Sequence, residues 1–451
     1  MFRPRHSRWS KVFLTSASSL ALTLGALAAS AHDADAELDA HPSSTASPIK
    51  HVIIIVGENR SFDHVFATYQ PKDKHEHVRN LLSERIVNAD GTPGPNFARG
   101  QQYEIVAPPN DGKFFVSADS SQKRLYAQLP PPDIGGVPKV SPLAFILTVP
   151  GGDPGLRPED QFLFGTGGTG LDVTLGPDTR ITNVNALPPG PFQLTGPTMP
   201  FDAFTADTIH QFFQMYQQVD CAIDREHVSR GNPTGCLHDL QSAVTTTYGT
   251  PPGTAPHDTG QTMAFFNMQQ GDAPLFKALA DQYTMSDNYH QPVMGGTGPD
   301  SIPLGFADQL FFSDGNGNAV TPPANRIYNP DPQPGTLNLY TQRAQWFNCS
   351  DTNAPGTKAI SDYLKKLPYK VSRNCDAGHY YPAVNVTPAF TPAGIPTGTP
   401  DNNHPTNNII PPTTQRSIGD ALNERHISWK YYGGGYNLAV AGAAINGYCD
   451  I

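Results

Sequence analysis

The prediction of the fold starts from a stretch near the N-terminus, Lys50-His51-Val52-Ile53-Ile54-Ile55-Val56, followed by Gly57-Glu58-Asn59-Arg60-Ser61-Phe62-Asp63-His64. Its first part is a short β-branched run without polar alternation, which is typical of a parallel strand buried on both faces. Ligands bind at the carboxyl ends of strands in open parallel sheets, so the polar residues that follow are expected at a functional site. The stretch predicts an α/β fold with a mostly parallel sheet.

Proline and glycine are unusually frequent, since the 451 residues include 45 Pro and 41 Gly. Both residues interrupt helices, which excludes long helical bundles and coiled coils. Much of the excess falls in two loop-rich insertions, at about 69–199 and 328–412, which are expected to border the cleft of the α/β core. The domain itself is predicted to span 48–451, after a polar linker at 32–47.

The first 31 residues have the pattern of a secretory signal peptide. Arg3, Arg5, Arg8 and Lys11 precede an acid-free apolar run that ends in Ala29-Ser30-Ala31. A membrane anchor is the alternative, but the run contains Ser and Thr and is shorter than the roughly 20 apolar residues that a spanning helix needs. The sequence therefore predicts an exported protein, periplasmic or secreted, without stable membrane insertion after the signal is removed.

The charge balance disfavours nucleic acid as a partner. Removal of residues 1–31 takes away four basic residues and no acidic ones, so the formal charge changes from -10 (30 minus 40) to -14 (26 minus 40). A protein that binds along the phosphate backbone of a nucleic acid needs a net positive charge on the binding surface. The sequence leaves the oligomeric state open.

The five cysteines lack the CxxC spacing of a zinc ribbon or a thioredoxin-like site. Disulfides are the expected state of cysteines in an exported chain. Cys221 with Cys236 and Cys349 with Cys375 are the plausible local pairs, which leaves Cys449 without a partner.

Local patterns predict three helices and a late strand. Helices are expected at 207–216, 273–283 and 417–424. The first of these would carry His210, and Pro274 suits the first turn of the second. A strand is expected at 427–432.

Glu58 and Asn59 are candidate metal ligands, because a carboxylate beside an amide oxygen suits a hard divalent cation. The structural alternative is that Glu58 pairs with Arg60 and Asn59 bonds the turn backbone. Spacing alone does not separate the two interpretations.

Thr297, within Gly295-Gly296-Thr297-Gly298-Pro299, is a candidate nucleophile. Positive φ at the flanking glycines is expected to expose its hydroxyl, and metal coordination would activate it. The alternative is a plain glycine-rich turn. His210 is a candidate for contact with a phosphate oxygen or for protonation of a leaving group.

Five segments together resemble the bacterial phosphoesterase family of phospholipases C and acid phosphatases: Glu58 to Asp63, Asp207-x-x-His210, Gly295 to Pro299, Ile418 to Leu422, and Ser428 to Gly435. The resemblance implies an alkaline-phosphatase-like α/β core, a bound divalent metal of unknown identity, and phosphate ester hydrolysis. It implies that Glu58, Asn59 and Thr297 are metal ligands, that Thr297 is the nucleophile, and that His210 contacts the phosphate or donates a proton.

The chain departs from this family in two places. Asp300 and Ser301 stand where relatives often have Asn with His or Arg, which puts substrate choice in doubt. Relatives also continue beyond the Trp-Lys-Tyr-Tyr segment, where acidic residues complete their metal site. The expectation is that the C-terminal part of the domain is missing and that the active form needs residues beyond 451.

The sequence thus favours an exported, metal-dependent phosphoesterase that hydrolyses phosphate monoesters through Thr297. A phospholipase C that cleaves phospholipid phosphodiesters is the alternative of the same class. The acidic surface disfavours adsorption to anionic membranes and places the phosphatase slightly ahead. A secreted binding protein that kept the fold without catalysis is the alternative of another class.

Overall fold

The computed structural model describes residues 48–49, 51–57, 61–107, 111–131, 182, 184–196, 199, 209–247, 263–332, 344–371, 374–388, 409–410 and 413–430. The chain divides into two compact units, Met1–Val56 and Gly57–Ile451. The predicted signal peptide and linker, the ligand pair Glu58 and Asn59, and Cys449 lie outside the described residues.

Seven α-helices are found in the described residues: α1 (Phe62–Phe66), α2 (Phe212–Gln218), α3 (Gln241–Thr247), α4 (Pro274–Ala280), α5 (Thr297–Phe306), α6 (Thr357–Lys366) and α7 (Ile418–Glu424). Short 3₁₀ turns lie at Phe97–Gly100, Ser120–Gln122, Val184–Ala186, Met268–Gln270 and Ala324–Arg326. Within this described part, no helix is long and apolar enough to cross a membrane.

The described strands form four two-stranded sheets. Two sheets are antiparallel: β1 (Tyr103–Ile105) with β2 (Lys123–Leu125), and β5 (Trp346–Phe347) with β6 (Tyr381–Pro382). Two are parallel: β3 (Phe192–Gln193) with β4 (Ala264–Phe265), and β7 (Thr387–Pro388) with β8 (Ile409–Ile410). This mixture of helices and small sheets is consistent with an α/β fold. A continuous parallel core sheet is not seen among the described residues.

The predicted strand at 50–56 is not found, because residues 51–56 have no strand and the side chains of Val52–Val56 are 44% to 86% exposed. An apolar run becomes a buried strand only when neighbouring strands bond its backbone, and no described sheet includes these residues. The prediction of a late strand is also wrong for residues 427–430, which are not in a strand. Instead Trp429 returns to α7, where its indole Nε1 donates to Asn423 Oδ1 (3.0 Å).

The helices with clear capping signals are confirmed. Pro274 opens α4, and the Ser417 hydroxyl accepts a hydrogen bond from the backbone of Asp420 at the start of α7. Both predicted disulfides are present: Cys221 with Cys236, and Cys349 with Cys375. The first closes a hairpin that contacts α6, since the Tyr363 hydroxyl donates to Thr234 O (3.0 Å).

Among the described residues, the largest core cluster is rich in aromatic side chains and joins distant parts of the chain. Phe212 and Phe213 at the start of α2 pack on Phe347, with ring centroids 4.3 and 5.3 Å apart. Phe114 and Tyr328 each lie 5.3 Å from Phe213. Contacts of this kind add about 0.5–1.5 kcal/mol per pair to the burial of the rings, so this cluster fixes the position of α2.

A buried charged cluster joins β2 to two neighbouring segments. Lys123 Nζ lies 2.6 Å from Asp220 Oδ2 and 3.0 Å from Asp239 Oδ2, and all three side chains are at most 10% exposed. Burial disfavours the charged lysine, but Asp220 and then Asp239 raise the pKa of Lys123 above its usual value. Burial, and then the charge of Asp220, raise the pKa of Asp239 to about 6.

This cluster makes stability depend on pH. Because the pKa of Asp239 is raised on folding, its contribution to stability is fully present below about pH 4 and is lost as pH rises through about 6. Relative to Asp239→Asn, the wild-type free energy of unfolding should fall by about 1–3 kcal/mol between pH 4 and pH 7, at about 1.4 kcal/mol per pKa unit. Urea unfolding at a series of pH values measures this difference.

Asp362→Asn is the matched control. The hydrogen bond between Asp362 and Lys358 lowers the pKa of this partly exposed carboxyl, so any pH effect of Asp362→Asn should have the opposite sign. Parallel pH profiles for wild type and Asp239→Asn would contradict the assignment.

Candidate active site

Thr297 is the first residue of α5, a helix of ten residues, and its side chain is partly exposed. Gly296 caps the helix with extended backbone (φ -95°, ψ -172°). The first amides of a helix have no acceptor within it, and they make its N-terminus attractive to anions. Pro299 has no N–H, and the Asp300 N–H donates to Gly296 O (3.1 Å). The Gly298 N–H donates to Asn385 Oδ1 (2.9 Å), so this amide of the first turn also has a partner within the protein.

The expected positive φ at the flanking glycines is wrong, because Gly295, Gly296 and Gly298 are not among the described glycines with positive φ. These glycines are needed because neighbouring atoms leave no room for a side chain. A Cβ on Gly296 would lie 2.8 Å from His210 O and 2.8 Å from Asn385 Oδ1. A Cβ on Gly298 would lie 3.1 Å from Val386 N. Two other chain segments thus approach the turn more closely than a side chain allows.

His210 lies two residues before α2, and its predicted location on a helix is wrong. The helix starts late because Gln211 has extended backbone and the Phe212 N–H donates to Ala383 O (3.0 Å). The neighbours of His210 are also held: Gln218 Nε2 donates to Ile209 O (2.7 Å), and the Tyr328 hydroxyl donates to Gln211 Oε1 (3.1 Å).

The structure brings His210 and the Thr297 turn together. The imidazole Cδ2 of His210 lies 3.0 Å from the position of a Cβ on Gly296, the residue directly before Thr297. The two residues are 87 positions apart in sequence. Their proximity agrees with a shared site, although His210 precedes the helix on which it was predicted to lie.

Asn385 also lies at the candidate site, although no sequence pattern predicts it there. Its side-chain Oδ1 accepts a hydrogen bond from the Gly298 N–H (2.9 Å). No local motif marks it, because its partner lies 87 residues earlier and the contact depends on the tertiary fold.

Aromatic side chains lie on the helix that follows His210. Phe212 and Tyr216 lie on α2 with ring centroids 5.3 Å apart, and burial raises the pKa of Tyr216 to about 12.

The predicted metal ligands Glu58 and Asn59 lie outside the described residues, so the structure describes no distance from them to Thr297. Among the residues that are described, no group of three or more His, Cys, Asp or Glu side chains is arranged to hold a metal. Asp300, in the first turn of α5, is the acidic residue closest in sequence to Thr297.

Comparison with known families supplies the deciding observation. The model of the Phosphoesterase family matches residues 171–449, more than half of the chain. The protein belongs to the phosphoesterase family. The matched range includes His210, Thr297 and Asn385 and begins after Glu58 and Asn59. No curated protein and no solved structure matches the chain. Membership of the phosphoesterase family suggests a hydrolase and a phosphate ester substrate.

The close approach at Gly296 can be tested with two glycine substitutions in the same region. Gly296→Ala should lower the free energy of unfolding by about 1–3 kcal/mol, because its Cβ would collide with His210 O and Asn385 Oδ1. Gly305→Ala, in the last turn of α5, meets no atom within 4 Å and should be neutral or slightly stabilising. Thermal and urea unfolding measure both; equal effects would contradict the packing.

Proposed function

We propose that this phosphoesterase is an exported, metal-dependent enzyme that hydrolyses phosphate monoesters with Thr297 as the nucleophile. The observation that carries the proposal is the location of Thr297 at the N-terminus of α5, beside His210. Membership of the phosphoesterase family supplies the reaction class.

The helix end supports a phosphate-binding role. The N-terminus of a helix carries partial positive charge, which favours a phosphate dianion beside the first turn. Thr297 is the first residue of that turn and is partly exposed. A phosphate bound there would have its phosphorus next to a hydroxyl nucleophile.

The proposed reaction has two steps. Thr297 Oγ loses its proton and attacks phosphorus in line with the ester oxygen, so the Oγ–P bond forms as the P–O ester bond breaks. The leaving alkoxide takes a proton, for which His210 is the proposed donor or phosphate contact. Water then attacks the phosphorylated threonine, which releases phosphate and restores the hydroxyl.

Glu58, Asn59 and Thr297 are the residues that would hold the divalent ion. The donor set consists of carboxylate, amide and hydroxyl oxygens, which suit a hard divalent cation. When bound, such an ion lowers the pKa of the hydroxyl and offsets charge on the phosphoryl oxygens.

Substitution of Thr297 tests the nucleophile. Thr297→Ala should reduce kcat on p-nitrophenyl phosphate by roughly 10³-fold or more, whereas Thr297→Ser keeps a hydroxyl and should retain much of the activity. Thr321→Ala, at an exposed position, is the matched control and should leave kcat unchanged. Activity that survives Thr297→Ala would overturn the mechanism.

Chelation and a substrate panel separate the remaining alternatives. A chelator should abolish hydrolysis of p-nitrophenyl phosphate, and an added divalent metal should restore it. Faster cleavage of phosphatidylcholine than of p-nitrophenyl phosphate would instead identify a phospholipase C. Absence of hydrolysis on both substrates in the metal-supplemented full-length protein would favour a binding function.

A further inference from the structure

The segment 383–386 contacts both halves of the candidate site. Ala383 O accepts the hydrogen bond of the Phe212 N–H, two residues after His210. Two residues later in the same segment, Asn385 Oδ1 accepts the hydrogen bond of the Gly298 N–H, one residue after Thr297 (2.9 Å). One short segment therefore holds the chain on both sides of the proposed reaction centre.

The amide that Asn385 binds belongs to the peptide unit between Thr297 and Gly298. Because a peptide unit is planar, a hydrogen bond to its N–H fixes the plane through which Thr297 is joined to α5. The close approach of Asn385 Cα, 3.2 Å from the position of a Cβ on Gly298, leaves little room for that plane to rotate.

No other acceptor in the helix replaces Asn385. The amide of Gly298 is in the first turn, where α-helical geometry provides no intrahelical carbonyl acceptor. Asn385 is only partly buried, so its loss exposes this N–H to water and leaves the turn less ordered. A hydroxyl that must attack in line tolerates such misplacement poorly, since an error of about 1 Å costs up to about 10²-fold in rate.

We infer that Asn385 is a positioning residue of the phosphoesterase reaction, which orients Thr297 through the Gly298 amide and aligns it with the His210 segment. The inference rests on the proposed function of Thr297. It assigns to Asn385 an effect on kcat that is larger than its effect on KM or on stability.

The test compares three variants of the full-length protein. Asn385→Leu removes the acceptor and keeps the γ-branched shape of the side chain. Asn385→Asp keeps an acceptor oxygen. Asn232→Leu is the matched structural control, because Asn232 Nδ2 donates to Cys236 O (2.9 Å) inside the disulfide-closed hairpin. The measurements are kcat and KM on p-nitrophenyl phosphate, thermal unfolding, and hydrogen–deuterium exchange of the peptide that contains Gly298.

Asn385→Leu should lower kcat about 10- to 100-fold with KM within about threefold, and the Gly298 peptide should exchange faster. Asn385→Asp should keep kcat within about fivefold and the exchange protection, while its carboxylate raises KM by repulsion of the phosphate dianion. Asn232→Leu should lower thermal stability but leave kcat and the Gly298 peptide unchanged.

Failure of the positioning role and failure of the proposed function give different experimental results. Unchanged kcat and exchange in Asn385→Leu, with an active wild type, would overturn the positioning role alone. Equal loss of kcat in Asn385→Leu and Asn385→Asp, in parallel with lowered melting temperatures, would reduce Asn385 to a structural residue. A wild type without phosphoesterase activity would overturn the proposed function and the role of Asn385 together.

Discussion

The two backbone hydrogen bonds of Ala383 are the constraint on which the described core depends. Its N–H donates to Gln345 O (2.7 Å), and its carbonyl accepts from the Phe212 N–H (3.0 Å). Ala383 is fully buried, so both groups would be costly if left unpaired. This one residue joins the start of α2, the end of strand β6 and the residue before β5 in a fixed arrangement.

The aromatic cluster and the candidate site are adjacent along the chain at the start of α2. Phe212 and Phe213 anchor α2 in the core, while the residues immediately before the helix turn towards Gly296. Stability of the core is thereby coupled to the geometry of the site. His210 and Asn385 approach the helix end at Thr297 so closely that only glycine fits at position 296. This lack of space explains the glycine-rich sequence better than backbone conformation does.

The parts of the structure that the sequence predicted are those with local causes. The caps of α4 and α7 depend on neighbouring residues, and the disulfides join cysteines 15 and 26 positions apart. Thr297 and His210 are candidates by their chemistry and by resemblance, and their roles stay predictions. The predictions that failed needed distant partners: a strand at 51–56 requires a sheet, and the start of α2 is set by Ala383. Asn385 escaped prediction for the same reason, because nothing beside it in sequence indicates the Gly298 amide.

The second disulfide has a consequence for how the chain responds to proteases. The bond between Cys349 and Cys375 encloses all of α6 and the exposed lysines that follow or end it, Lys365, Lys366 and Lys370. A cut after any of these lysines breaks the polypeptide but not the molecule, since the two pieces remain covalently joined. The nicked protein would migrate as one species until it is reduced, and then separate into two fragments.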